Sequence, residues 1–178
     1  MLSLLYLKRM ISRKRIGKNF GCIILIHFLT TIAVYSQVEH SIFDREKFYS
    51  SLASGNVDAI NNELNVIHNT FIENKDAFEG VLLMKKAGVV NSKKEKLNLF
   101  KTGRNKLEGI INKNSSNAEF RFFRLMIQEH APKFLKYHDD LENDRQYIRS
   151  SFKNLPAEVQ QAILDYSKKS KILHTTDF

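Results

Sequence analysis

The chain has 178 residues and a net charge of +9, a length that suits one domain with a real core and is short for two. The charge is concentrated at one end: the first 36 residues hold six cations and no acid, and removing those six from 28 basic residues leaves 22 against 19 acidic ones. A remainder so near balance has no strong attraction for phosphate, so no nucleic-acid partner is expected.

The first 36 residues read as a signal peptide. Lys8, Arg9, Arg13, Lys14, Arg15 and Lys18 form a basic stretch, and an apolar run of about 14 residues follows from Phe20 to Ala33. Val34 and Ser36 then occupy the positions that signal peptidase reads, which predicts cleavage before Gln37. A span needs about 20 apolar residues, so contact with the membrane is expected to be transient. Met10, just ahead of the basic cluster, is a second candidate start. The single cysteine, Cys22, precedes most of the apolar run and does not fit a lipidation site. The domain beyond it therefore has no disulfide, thiolate ligand or cysteine nucleophile. The expected address is the periplasm or the medium of a bacterium.

From residue 37 onward the apolar spacing is helical, and no alternating β-branched run occurs. Ser41 with Asp44 resembles a capping box, opening a helix that would bury Ile42, Phe43, Phe48 and Leu52 before Gly55. Val57, Ile60, Leu64 and Ile67 mark a second helix. A third runs from about Lys75 to Ala87, with Phe78, Val81, Leu82 and Met84 inward and Gly88 as its stop. Ser92 with Glu95 opens a longer one carrying Leu97, Phe100, Leu107, Ile110 and Ile111, and Ser116 with Glu119 opens another that reaches His130. A helix near Asp140–Phe152 follows, and Pro156 then begins a last one with Val159, Ile163 and Tyr166 inside. The expectation is an all-α domain over residues 37–170, with about seven helices in a single bundle or short stack of hairpins and no sheet. Residues 171–178 show no pattern and are expected to fray.

The helix ending at His130 is apolar on most of its surface, through Phe120, Phe122, Phe123, Leu125, Met126 and Ile127, which predicts a central position. Asn117, Arg121, Arg124 and Gln128 gather on its one polar stripe. Such a stripe either meets carboxylates such as Glu79, Glu108 or Asp144, or faces a groove where arginine can grip an anion with two parallel hydrogen bonds. Arg121, Arg124 and Gln128 are the candidate interaction face.

Two resemblances follow from particular residues. Leu97, Phe100, Leu107-Glu108, Ile110-Ile111, Asn114 and Asn117-Ala118-Glu119 resemble the second helix of a tetratricopeptide unit running into the next, although no second copy follows at a period of about 34 residues. More broadly, Leu83-Met84-Lys85-Lys86-Ala87-Gly88, Arg121 to Gln128, and Leu155-Pro156 through Ile163 are similar to a small family of exported helical proteins from flavobacteria-type bacteria. That resemblance implies an address and carries no activity with it.

The one cluster of metal-ligand residue types is Glu129, His130, His138, Asp139 and Asp140. Di-metal bundles place Glu and His three residues apart, whereas Glu129 and His130 are adjacent and diverge by about 100° around a helix. Asp139-Asp140 serve equally well as a cap. Ser50-Ser51 and Ser150-Ser151 lack the strand–turn–helix setting of a hydrolase nucleophile, and no phosphate-binding glycine loop is present. No cofactor, metal or catalytic residue is expected. The functional expectation is a non-catalytic module that binds an envelope protein or peptide. The alternatives are a small metal-dependent or hydrolytic enzyme with its site near Glu129–Asp140, and an apolar-ligand binder suggested by the 13 phenylalanines.

Overall fold

The computed structural model describes residues 43–178. The expected signal peptide, its expected cleavage before Gln37 and the expected Ser41 cap lie outside the described residues. Seven α-helices follow in order: α1 Arg45–Ser54, α2 Val57–Asn69, α3 Lys75–Val89, α4 Lys93–Lys113, α5 Ala118–His130, α6 Leu141–Ser151 and α7 Ala157–Ser167. There is no strand among the described residues, so the all-α expectation holds.

Local chemistry sets most helix starts. Asp44 caps α1 by accepting from the Lys47 amide, Asn56 caps α2 through the Asp58 and Ala59 amides, and Ser92 caps α4 through the Glu95 amide. Two boundaries differ from expectation. The cap of α5 is Asn117, which accepts from the Phe120 amide, and not Ser116; the side chain of Glu119 is turned to another partner. Gly88 is no stop either, because α3 continues to Val89 and the Val90 amide still reaches the Lys86 carbonyl.

Consecutive helices pack on one another from α1 to α6, α3 also meets α5, and α7 returns to α1. That return closes a single bundle rather than leaving an open stack. As expected, α5 is central: Phe120, Phe122, Phe123 and Leu125 are buried. Phe48, Phe78 and Phe123 meet with ring centroids 5.2–5.5 Å apart in tilted and edge-on contacts, the arrangement that aromatic quadrupoles favour. Glu119, also buried, ties α1 to this centre by accepting from Arg45 at 3.2 Å and from the Tyr49 hydroxyl at 2.9 Å. Burial and then the Glu119 charge push the Tyr49 hydroxyl well above its ordinary pKa, so it stays a donor.

α3 and α4 approach most closely at two glycines. A Cβ on Gly103 would stand 2.5 Å from the Gly80 carbonyl oxygen and 3.0 Å from the Met84 amide nitrogen. The absence of side chains at this crossing is what lets the two backbones touch.

The C-terminal segment, expected to fray, is docked instead. Leu173 is fully buried, Phe178 stacks on Phe152 at 4.5 Å, and Asp177 accepts from Arg145 at 2.9 Å and pairs with Arg149 at 3.2 Å. Glu129 holds the start of the segment by accepting from Tyr166, Ser170 and the Lys171 amide, each at 2.6 Å. These contacts reach back across up to 42 residues and leave no periodic trace in the segment. Leu173→Ala is expected to cost about 2 kcal/mol in a urea titration, at the low end of leucine truncations because a chain end can collapse inward. An unchanged midpoint would mean that the segment is frayed after all.

Glu63 of α2 is 2% exposed, and its Oε2 has no hydrogen-bond partner. Burial raises its carboxyl above the ordinary 4.5, with Lys47 opposing. A carboxyl raised in the fold contributes fully below its unfolded value, and that contribution is lost as pH rises through the folded value. Glu63→Gln is therefore expected to be more stable than the parent by about 1 kcal/mol at pH 7, with the advantage shrinking towards pH 4. A difference that stays constant across pH 4–8 in denaturant titrations would remove this account.

Candidate functional site

The polar stripe of α5 is brought together with carboxylates from two other helices. Asp144, fully buried in the first turns of α6, accepts from Arg124 through both of its oxygens at 2.7 Å. Arg124 also reaches Glu108 of α4 at 3.1 Å and Asp140 at 3.4 Å. Burial disfavours the Arg124 charge, but the bonds to Asp144 and then the charges of Asp144, Glu108 and Asp140 outweigh it and hold the guanidinium above its ordinary pKa. Arg121 donates to Asp144 at 2.9 Å and to the Ser115 carbonyl at 2.8 Å, and lies 4.5 Å over the Tyr147 ring. Of the carboxylates expected to meet this stripe, Glu108 and Asp144 do so; Glu79 instead pairs with Lys106 at 2.8 Å. The two arginines therefore lock α4, α5 and α6 together and are engaged within the fold.

Gln128, the third residue of the stripe, is placed differently. Its Nε2 donates to Asp140 at 3.2 Å, which settles which way the amide points. Its Oε1 is buried and has no donor. A buried acceptor left without a donor is uncommon and costs about 1–3 kcal/mol.

Gln128 lines an open cleft of about 490 Å³ between α4 and the connection from Leu135 to Asp140. One long face of α4 forms a wall through Leu97, Lys101, Arg104, Glu108 and Asn112, the three- and four-residue spacing of one helix face. Tyr137 is the keystone of the opposite wall. It packs edge-on against Phe100 at 5.7 Å, lies under the Arg104 guanidinium at 4.6 Å and donates to Glu108 at 2.5 Å. Burial, then the Glu108 charge, push its hydroxyl far above the ordinary range, so it remains a proton donor to Glu108. Lys136 adopts a left-handed backbone (φ 48) beside it, a conformation that non-glycine residues rarely take and that often marks functional loops.

The cleft carries charges of both signs. Around Arg124, the three carboxylates of Glu108, Asp140 and Asp144 face two guanidiniums, and Asp139 adds a further exposed carboxylate on the lining. The lining also holds Lys101 and Arg104 of α4 and Lys136 of the connection. None of these three takes part in an ion pair among the described residues.

The cluster with metal-ligand residue types does not converge. Glu129 is taken up by the C-terminal segment; burial pushes its carboxyl up, but the bonds from Ser170, Tyr166 and Lys171 more than offset this and hold it below the usual range. His130 meets Tyr166 at 3.3 Å, His138 meets the Ala131 carbonyl at 2.8 Å, and Asp140 joins the Arg124 network. Among the described residues no group of three His, Cys, Asp or Glu side chains could hold a metal ion. Among the described residues the phenylalanines go mainly to the core, and Phe100 is the one that lines the cleft.

Sequence reasoning reached Gln128 and missed Lys101, Arg104, Lys136 and Tyr137. Lys101, Arg104 and Glu108 look like any solvated helix face until the Leu135–Asp140 connection is laid beside them. No protein-family model, curated protein or solved structure matches this chain.

Proposed function

We propose that this chain is an exported, non-catalytic interaction module that holds an envelope protein or peptide in the cleft beside α4. The observation that carries the reading is the open cleft itself, whose lining sets Lys101, Arg104 and Lys136, none in an ion pair among the described residues, beside the carboxylates of Glu108, Asp139 and Asp140. A cleft of this size falls within the range of ligand sites, and its lining is more polar than an apolar ligand requires. Leu97, 40% accessible on the lining, provides apolar contact. The export half of the reading rests on the basic and apolar runs of residues 1–36 and on the likeness to exported helical proteins. Among the described residues no helix is long and apolar enough to cross a membrane.

The test is a cross-linking pull-down from envelope extract with the tagged protein and with Lys101→Glu, an exposed position on the cleft with no ion pair among the described residues. A partner held by the parent and lost by the variant, at unchanged thermal stability, is the expected result. N-terminal sequencing of the recovered protein is expected to begin at Gln37. Equal retention by both proteins would sink the cleft as the binding face, and no retention above a mock control would sink the interaction reading.

A further inference from the structure

On α4 the basic residues beside the cleft share one face. At about 100° per residue, Lys93, Lys94, Leu97, Lys101 and Arg104 fall within about 100° of its circumference, whereas Glu95 stands about 160° from Leu97. The connection that forms the other wall continues the pattern. Leu135 and Lys136 line the cleft together with Leu97 and Lys101, and the short turn Lys133–Leu135 brings Lys133 and Phe134 with them. None of these cations takes part in an ion pair among the described residues. Against them the lining adds one exposed carboxylate, Asp139. Phe134 stands between Lys133 and Lys136 with 78% of its surface exposed, and exposed Leu97 stands among the cations of α4. Single exposed apolar residues are ordinary; an aromatic raised on a turn between two unpaired lysines, beside a basic helix face, is a combination with a use.

We propose that this turn and the basic face of α4 rest together on an anionic lipid bilayer, with Phe134 inserted at the level of the headgroups and the lysines against them. The inference goes beyond the cleft reading and does not depend on it. Charge complementarity points to an anionic partner, and the form of the apolar part points to a bilayer. Phe134 projects from a turn, so a folded protein would have to offer a pocket shaped to receive it. The bilayer interface yields around an aromatic ring wherever it enters. Lysine suits the same place, because its long stem lies along apolar surface while its ammonium stays with the headgroups. One aromatic wedge and a few cations make the attachment peripheral and reversible.

The experiment is vesicle co-sedimentation of residues 41–178, a compact unit with its own core, which leaves out the basic run of residues 8–18 that would bind such vesicles by itself. Binding is expected to vesicles of phosphatidylglycerol mixed with phosphatidylcholine, to be absent with phosphatidylcholine alone, and to fall steeply with added salt. Phe134→Ser is expected to weaken it about tenfold, and Lys133→Glu/Lys136→Glu about twentyfold or more. Both changes fall on exposed side chains and are expected to leave thermal stability unchanged. Phe71→Ser is the control: Phe71 is 96% exposed but is followed by Glu73 and Asp76, and its loss is expected to change nothing. Lys101 is intact in every variant, so this measurement and the pull-down can fail separately. No binding to the anionic vesicles, or equal binding to both kinds, would overturn the proposal. So would a loss with Phe71→Ser as large as with Phe134→Ser, which would make exposed apolar surface of any kind the cause. Vesicle binding indifferent to the Phe134 and lysine variants would place the contact elsewhere and overturn it as well. Failure to bind vesicles, with a pull-down partner lost on Phe134→Ser, would assign this surface to a protein instead.

Discussion

Arg124→Met is expected to lower stability by about 3–5 kcal/mol, because it leaves Asp144 fully buried with only Arg121 as a partner. For a domain of this size the loss corresponds to a drop in Tm on the order of 10 °C. The pairing makes a sharper prediction than the single change. Replacing buried ion pairs with apolar residues of similar volume is often close to neutral, since both desolvation costs disappear together. Arg124→Met combined with Asp144→Leu is therefore expected to recover most of the loss, with Arg121 turning to the Ser115 carbonyl and to solvent. Urea titrations of the two single variants and the double variant, read as a mutant cycle, decide this. Additive losses would mean that the pair is not coupled. The same physics explains why substitutions at Arg121 or Arg124 are poor probes of binding: they test the fold first.

The second large effect is expected at the α3–α4 crossing. In an exposed helix interior, replacing glycine by alanine stabilises by about 0.5–1 kcal/mol because the unfolded chain loses freedom. Gly109, with nothing within 4 Å of an added Cβ, is such a position, and Gly109→Ala is expected to stabilise. Gly103 is not. Its added Cβ would press on the Gly80 carbonyl and the Met84 backbone, and backbone cannot rotate away as a side chain can. Gly103→Ala is expected to destabilise by about 3 kcal/mol, at the upper end of overpacking costs. Opposite signs at two glycines of the same helix would locate the close approach. Two stabilising substitutions would show that α3 and α4 can separate at little cost.

Much of the domain is legible in the sequence because its determinants are local. The apolar spacing from Phe48 to Ile163 repeats with the helical period, which gives the fold class and the seven helices. Ser92 displays its cap next to the amide it satisfies, and the nearly all-round apolar surface of the helix ending at His130 places that helix at the centre. Other features depend on what stands opposite. Serine and asparagine are both good caps, so the sequence does not choose between Ser116 and Asn117; the Phe120 amide does. Gly80 and Gly103 look like weak points in two helices until the crossing brings them together. The C-terminal segment has no period because Glu129, Arg145 and Phe152, remote in sequence, hold it. The stripe of Arg121, Arg124 and Gln128 is visible by periodicity, but whether it faces carboxylates or a cleft depends on the placement of α6 and of the Leu135–Asp140 connection. Periodicity reports which residues share a face, because helix geometry repeats along the chain. What that face meets is decided by contacts across 12 to 23 residues, which only the packed bundle sets.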